Sequence, residues 1–165
     1  TQVRRSSQRD QWRSIVGILS GEPVEGRADV VRAAEEMSAR ISNRALFFVL
    51  SDFLMPIDEI RGAVARLSHR GHDVVLAQVL DRQELEFDLD AAASFEGLEG
   101  EASVEADPRA VRAAYLDLLR EQVDGVDRIA RAAGADAIVA STHESVGPLL
   151  ASLLDRRMAF SGRRS

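Results

Sequence analysis

The chain has 165 residues, of which 45% are hydrophobic and 29% charged, enough for one domain with a proper core. A net charge of −6 argues against non-specific nucleic-acid binding and against a polybasic membrane anchor, since both need a basic excess. Cysteine is absent, which excludes disulfides, thiol catalysis and thiolate metal sites.

Residues 1–9 are polar and basic and read as a loose tail. Gln11 to Leu19 place Trp12, Ile15, Val16 and Leu19 at helical spacing, and Ser20-Gly21-Glu22-Pro23 stops that helix. Val24 to Ala28 read as a loop. Asp29 then caps a helix whose apolar positions are Val30, Ala33, Ala34, Met37 and Ile41. Ala45 to Leu50 are apolar without alternation, which predicts a central strand covered on both faces. Pro56 suits the first turn of the next helix, whose stripe is Ile57, Ile60, Val64 and Leu67, and Gly71 suits its end.

Val74 to Leu80 form a second buried strand, parallel to the first through a right-handed crossover. Leu85, Phe87 and Leu89 alternate with Glu86 and Asp88, which predicts a half-exposed strand. Gly97 and Gly100 mark turns, and Ala102 to Val104 would return as its hairpin partner. Asp107-Pro108 is a helix start, and Val111, Tyr115, Leu118, Gln122, Val126, Ile129 and Ala133 follow along one face up to Gly134. Asp136 to Ala140 make a third buried strand. Ser145 to Leu154 make a last helix, and residues 159–165 a basic tail. The alternation predicts a single α/β domain over residues 1–165, a three-layer Rossmann-like sandwich with a mainly parallel sheet. No apolar run reaches the roughly 18–20 residues of a bilayer span, and no signal-peptide core is present, so a cytoplasmic location is expected.

Ligands of open α/β sheets sit at the carboxyl ends of the strands, so Ser51 and Asp52, Asp81, and Ser141 and Thr142 are the candidate site residues. Asp52 suits a magnesium-binding or water-binding carboxylate. The commoner role at such a junction is to cap the helix beginning near Pro56 or to bond neighbouring loop amides. His69 and His72 flank a helix-breaking glycine and lack a third ligand, so both read as solvated. His143 reads as a loop residue, because no serine lies in a nucleophile elbow. Gly97-Leu98-Glu99-Gly100 lies among glutamates that would repel phosphate, so a turn is expected there. The run Glu84, Glu86, Asp88, Asp90 reads as the solvent face of a strand.

Several motifs come in order: Leu50-Ser51-Asp52-Phe53-Leu54, Arg70-Gly71-His72-Asp73-Val74, Gln78-Val79-Leu80-Asp81, Glu84-Leu85-Glu86-Phe87, Phe95-Glu96-Gly97-Leu98-Glu99, Asp107-Pro108-Arg109 and Ala114-Tyr115. Together, from about Trp12 to Arg157, they make the chain resemble the carboxyl-terminal half of the bacterial domain-of-unknown-function family fifty-eight, which carries a von Willebrand factor A-like domain. The resemblance implies a non-catalytic protein–protein interaction module, with a MoxR-type AAA+ ATPase as partner in a chaperone-like or assembly role. It also implies that the chain, which opens on Thr1, begins after an Asp-x-Ser-x-Ser segment, leaving the domain incomplete at its amino terminus.

In complete domains of that class, a metal-ion-dependent adhesion site holds magnesium. Asp52 matches its aspartate, whereas Ala28, beside Arg27, stands where its threonine would be. Magnesium wants about six oxygens, so no metal or other cofactor is expected here. Without the upstream strands, an edge or face near Ala45–Leu50 would lie uncovered and favour self-association. The expected partner surface is the loops at 51–55, 81–83 and 141–145. The rival expectation is a small hydrolase of the doubly wound class using Asp52 or Asp81 with Thr142.

Overall fold

A computed structural model of the chain describes residues 11–21, 29–69, 71–88, 93–95 and 104–161. The elements follow in the order α1 (Gln11–Leu19), α2 (Val30–Arg40), β1 (Leu46–Ser51), α3 (Ile57–Ser68), β2 (Asp73–Leu80), α4 (Arg82–Glu86), β3 (Ala93–Phe95), β4 (Val104–Ala106), α5 (Pro108–Ala132), β5 (Asp136–Ser141) and α6 (Val146–Ser161). β1, β2 and β5 form a parallel sheet in that spatial order, with Phe47 beside Val74 and Ala77 beside Ile138. The fold is therefore α/β and Rossmann-like, as the alternating pattern predicts.

Local chemistry sets the boundaries. Asp29 accepts a hydrogen bond from Arg32 N at 2.9 Å and starts α2. Asp107 accepts one from Arg109 N at 3.0 Å, with Pro108 in the first helical position of α5. Gly134, at φ +67°, takes the left-handed turn that lets α5 reverse into β5.

On one face of the sheet Phe47, Val74 and Leu76 pack with Ile60, Val64 and Leu67 of α3 and Val126, Ile129 and Ala130 of α5. On the other face Val75, Ala77 and Ile138 pack under Leu149 and Leu153 of α6. α6 is tied to the sheet by Arg157, whose guanidinium lies 3.3 Å from Asp73 and 3.4 Å from Asp136. Both aspartates open their strands, so this ionic tie sits at the amino-terminal edge of the sheet.

The structure corrects several expectations. β1 is buried on one face only. Its alternate residues Leu46, Phe48 and Leu50 are 56%, 41% and 66% exposed, because α6 covers the β5 side of that face and no described element covers the β1 side. Leu85 and Phe87 do not lie in a strand. A capping box between Asp81 and Glu84 winds residues 82–86 into α4, and Phe87 follows in a left-handed conformation, stacked on Tyr115 with ring centroids 4.3 Å apart. The hairpin pairs Ala93–Phe95 with Val104–Ala106 instead. Along α5, Leu119 is buried and Leu118 exposed, the reverse of the expected stripe. The apolar stripe of α1 buries no residue among those described. α6 runs to Ser161, past the expected end at Leu154. His72 is buried rather than solvated: its Nδ1 accepts the Ala45 N–H at 3.2 Å and its ring meets Phe47 edge-on. Residues 1–9, Arg27, Ala28, Leu89, Asp90 and the Gly97–Gly100 turn lie outside the described residues.

Candidate functional site: the carboxyl edge of the sheet

Because β1, β2 and β5 run parallel, the segments that leave their carboxyl ends share one edge. All five candidate residues, Ser51, Asp52, Asp81, Ser141 and Thr142, sit on that edge. They fall into two groups.

The first group follows β1. Ser51 Oγ accepts the Phe53 N–H at 3.0 Å, and Asp52 Oδ1 accepts the Leu54 N–H at 3.2 Å. These are side-chain turns of the kind that serine and aspartate make with the backbone two residues on. Phe53 sits at φ +52°, a conformation uncommon for a residue with a Cβ, and its ring is driven into the core. Two amides hold the loop in that shape. Gln78, buried in β2, donates to the Asp52 carbonyl at 2.8 Å. Gln122 of α5 donates to the carbonyls of Phe53 and Met55 at 2.6 and 2.8 Å. The Asp52 side chain is thereby held out towards solvent on a braced loop. Neither glutamine was singled out as a site residue in the sequence. Gln78 carried a signal, the lone amide in an apolar strand; Gln122 lay on a helical stripe and carried none.

The second group joins β2 and β5. Thr142 N donates to the Leu80 carbonyl at 3.0 Å, extending the sheet pairing beyond the strand ends. Thr142 Oγ1 donates to Asp81 Oδ2 at 2.7 Å, and His143 Nδ1 lies 3.1 Å from that hydroxyl and 3.5 Å from the same carboxylate. Ser141 Oγ accepts the His143 N–H at 3.3 Å. Asp81 Oδ1 accepts the Gln83 N–H at 2.9 Å, opening α4. That backbone bond, then the Thr142 hydroxyl and the nearby His143, hold the Asp81 carboxyl below its ordinary value of 3.8. Glu86 and Asp88 line the same shallow cleft with Arg82 and His143, so its charge is mostly negative.

The fit to magnesium is poor. Asp52 and Ser51 supply a carboxylate and a hydroxyl that already accept loop amides, against the roughly six oxygens the ion demands. Among the described residues no three His, Asp or Glu side chains gather into a site for an ion. No described helix is long and apolar enough to cross a membrane.

Comparison with curated proteins and with solved structures gives no match. The family comparison does: a model described as "Protein of unknown function DUF58" matches residues 4–124, from before α1 to within α5, and so takes in β1, β2 and the loops after them. The chain belongs to the DUF58 family.

Proposed function

We propose that the chain is a non-catalytic interaction module that docks a protein partner on the loops at the carboxyl edge of its sheet, 51–55, 81–83 and 141–145. One observation carries this reading: the polar groups of those loops are spent on shaping the loops themselves. Gln78 and Gln122 brace three loop carbonyls, and Asp81 and Thr142 tie two loops together. A braced, exposed rim suits recognition, because little ordering entropy remains to be lost on binding. Exposed Asp52 and Asp88 add negative charge, which favours a basic surface on the partner. A MoxR-type AAA+ ATPase is the partner proposed, on the family resemblance alone.

The hydrolase alternative has one contact in its favour, the Asp81–Thr142–His143 group. The hydroxyl proton, however, points at a carboxylate whose proton affinity is held low, a poor base for making threonine a nucleophile.

Biolayer interferometry with a MoxR-type ATPase tests the proposal. Asp52→Asn and Thr142→Val should each weaken binding about tenfold, the scale of one charged or well-placed interfacial contact. Leu118→Ala, on the exposed side of α5, should leave it unchanged. Binding indifferent to both rim substitutions would sink the idea.

A further inference from the structure

We infer that the peptide plane between Asp52 and Phe53 is a two-position switch. A half-turn reverses it without loss of hydrogen bonds, and the flipped position frees the Asp52 carboxylate for a donor from outside. The switch belongs to the free chain and stands whether or not a partner docks on the rim.

The plane is held on both sides by groups that can either donate or accept. On its carbonyl side, Gln78 Nε2 donates to the Asp52 oxygen at 2.8 Å. On its amide side, Ser51 Oγ accepts the Phe53 N–H at 3.0 Å. A carboxamide offers both an amino group and a carbonyl, and a hydroxyl offers one proton and two lone pairs. After a half-turn of the plane, the Phe53 N–H faces Gln78 and the Asp52 carbonyl faces Ser51. Gln78 then accepts through Oε1 and Ser51 donates, so both bonds survive. Gln78 is 1% exposed, and its Oε1 has no partner among the described residues. Its amide is therefore anchored at the nitrogen alone. No bond on the oxygen opposes the half-turn that the amide must make, and the unbonded end simply passes from oxygen to nitrogen.

Backbone strain favours the exchange. Phe53 sits at φ +52°, and a half-turn of the plane carries it to about −130°, in the broad extended region open to any residue. The movement is confined to that plane. The Phe53 ring, 3% exposed, keeps its place in the core. The next carbonyls, those of Phe53 and Met55, stay on Gln122. What changes hands is the Ser51 proton. Ser51 Oγ lies 3.4 Å from Asp52 Oδ1 as donor, and in the flipped position it donates to the Asp52 carbonyl instead. Asp52 Oδ1 keeps the Leu54 N–H at 3.2 Å and has a lone pair released for a second donor. A basic side chain that donates to this carboxylate binds the flipped position better and so selects it.

NMR relaxation dispersion on the full chain tests the switch. Exchange should appear at the Asp52 carbonyl carbon, the Phe53 amide and the Gln78 side-chain amide with one shared rate constant, while Met55 stays quiet. The minor state's Phe53 shifts should be those of an extended residue. Two acceptor-only substitutions should push the plane in opposite directions. The carboxylate of Ser51→Asp can only accept the Phe53 N–H, so the minor population should fall about fivefold, the scale of one hydrogen bond. In Gln78→Glu the new carboxyl donates while protonated and only accepts once ionised. The flipped population should therefore rise about fivefold as pH is raised through that titration. N-acetylarginine amide should raise the minor population, and Asp52→Asn should abolish that rise. A flat dispersion profile at Phe53 overturns the switch. So does exchange that spreads to Met55, or a shift in the same direction by both substitutions. If Gln78→Glu does not fold, the shared rate constant and Ser51→Asp decide. A minor population that N-acetylarginine amide leaves unchanged overturns the part given to the carboxylate.

Discussion

Gln78 and Gln122 each donate to loop carbonyls far along the chain, Gln78 to Asp52 and Gln122 to Phe53 and Met55. Gln122→Ala removes two bonds to partly buried carbonyls and should cost about 1–3 kcal/mol. Amide exchange should rise selectively at residues 53–56, which distinguishes loss of the brace from general loosening. Gln78→Ala should act in the same direction. Asp81 gives a pH dependence whose sign is fixed. Its folded pKa is depressed, so its contribution to stability is present above the unfolded value near 3.8 and is lost as pH falls through the lower folded value. In acid melts Asp81→Asn should flatten that part of the profile while leaving neutral stability set by its weakened cap. The candidate residues were legible because strand ends are legible. What they touch was not, because the glutamine partners lie far off in sequence and periodicity carries no such information.

The elements divide by how their signals compete. β2 and β5 were readable because an unbroken apolar run has few other uses. α4 was not, because alternation over Leu85, Phe87 and Leu89 is a two-residue period that a short capped helix can carry by accident. Asp81 and Glu84, at capping-box spacing, were the overlooked cue. In α5 the stripe reaches Tyr115 and can continue at i+3 or i+4. The structure takes Leu119, which is buried, and leaves Leu118 exposed. Leu119→Ala should therefore cost about 2–5 kcal/mol, and Leu118→Ala less than about 0.5, read as shifts in denaturant midpoint. Tyr115 is the chain's sole tyrosine, so its phenol can be titrated directly. Burial, and then the charge of Glu84, raise it above the ordinary 10.0. The Phe87–Tyr115 stack is then fully retained below the unfolded pKa and weakens as pH rises through the folded one. Absorbance at alkaline pH should place the transition above that of free tyrosine, and Glu84→Gln should bring it down.

For the whole molecule, element order sufficed for the parallel sheet, because strand–helix–strand units close in one hand. Element order alone did not say which strand lies at the edge; the expectation of an uncovered edge or face near Ala45–Leu50 came from the family resemblance, and in the structure Leu46, Phe48 and Leu50 are exposed. An apolar run says that both sides of a strand repel water; it does not say what covers them. Arg157→Ala should cost about 1 kcal/mol and loosen α6 from the amino-terminal edge without disturbing loops 51–55, since its ties to Asp73 and Asp136 lie at the other end of the strands.

A parallel sheet has a direction, with every loop that leaves its strands forward of it. Whatever meets loops 51–55 and 141–145 therefore meets them from one side, and the Arg157 tie to Asp73 and Asp136 lies a strand's length behind, so the two ends of the sheet can be altered one at a time.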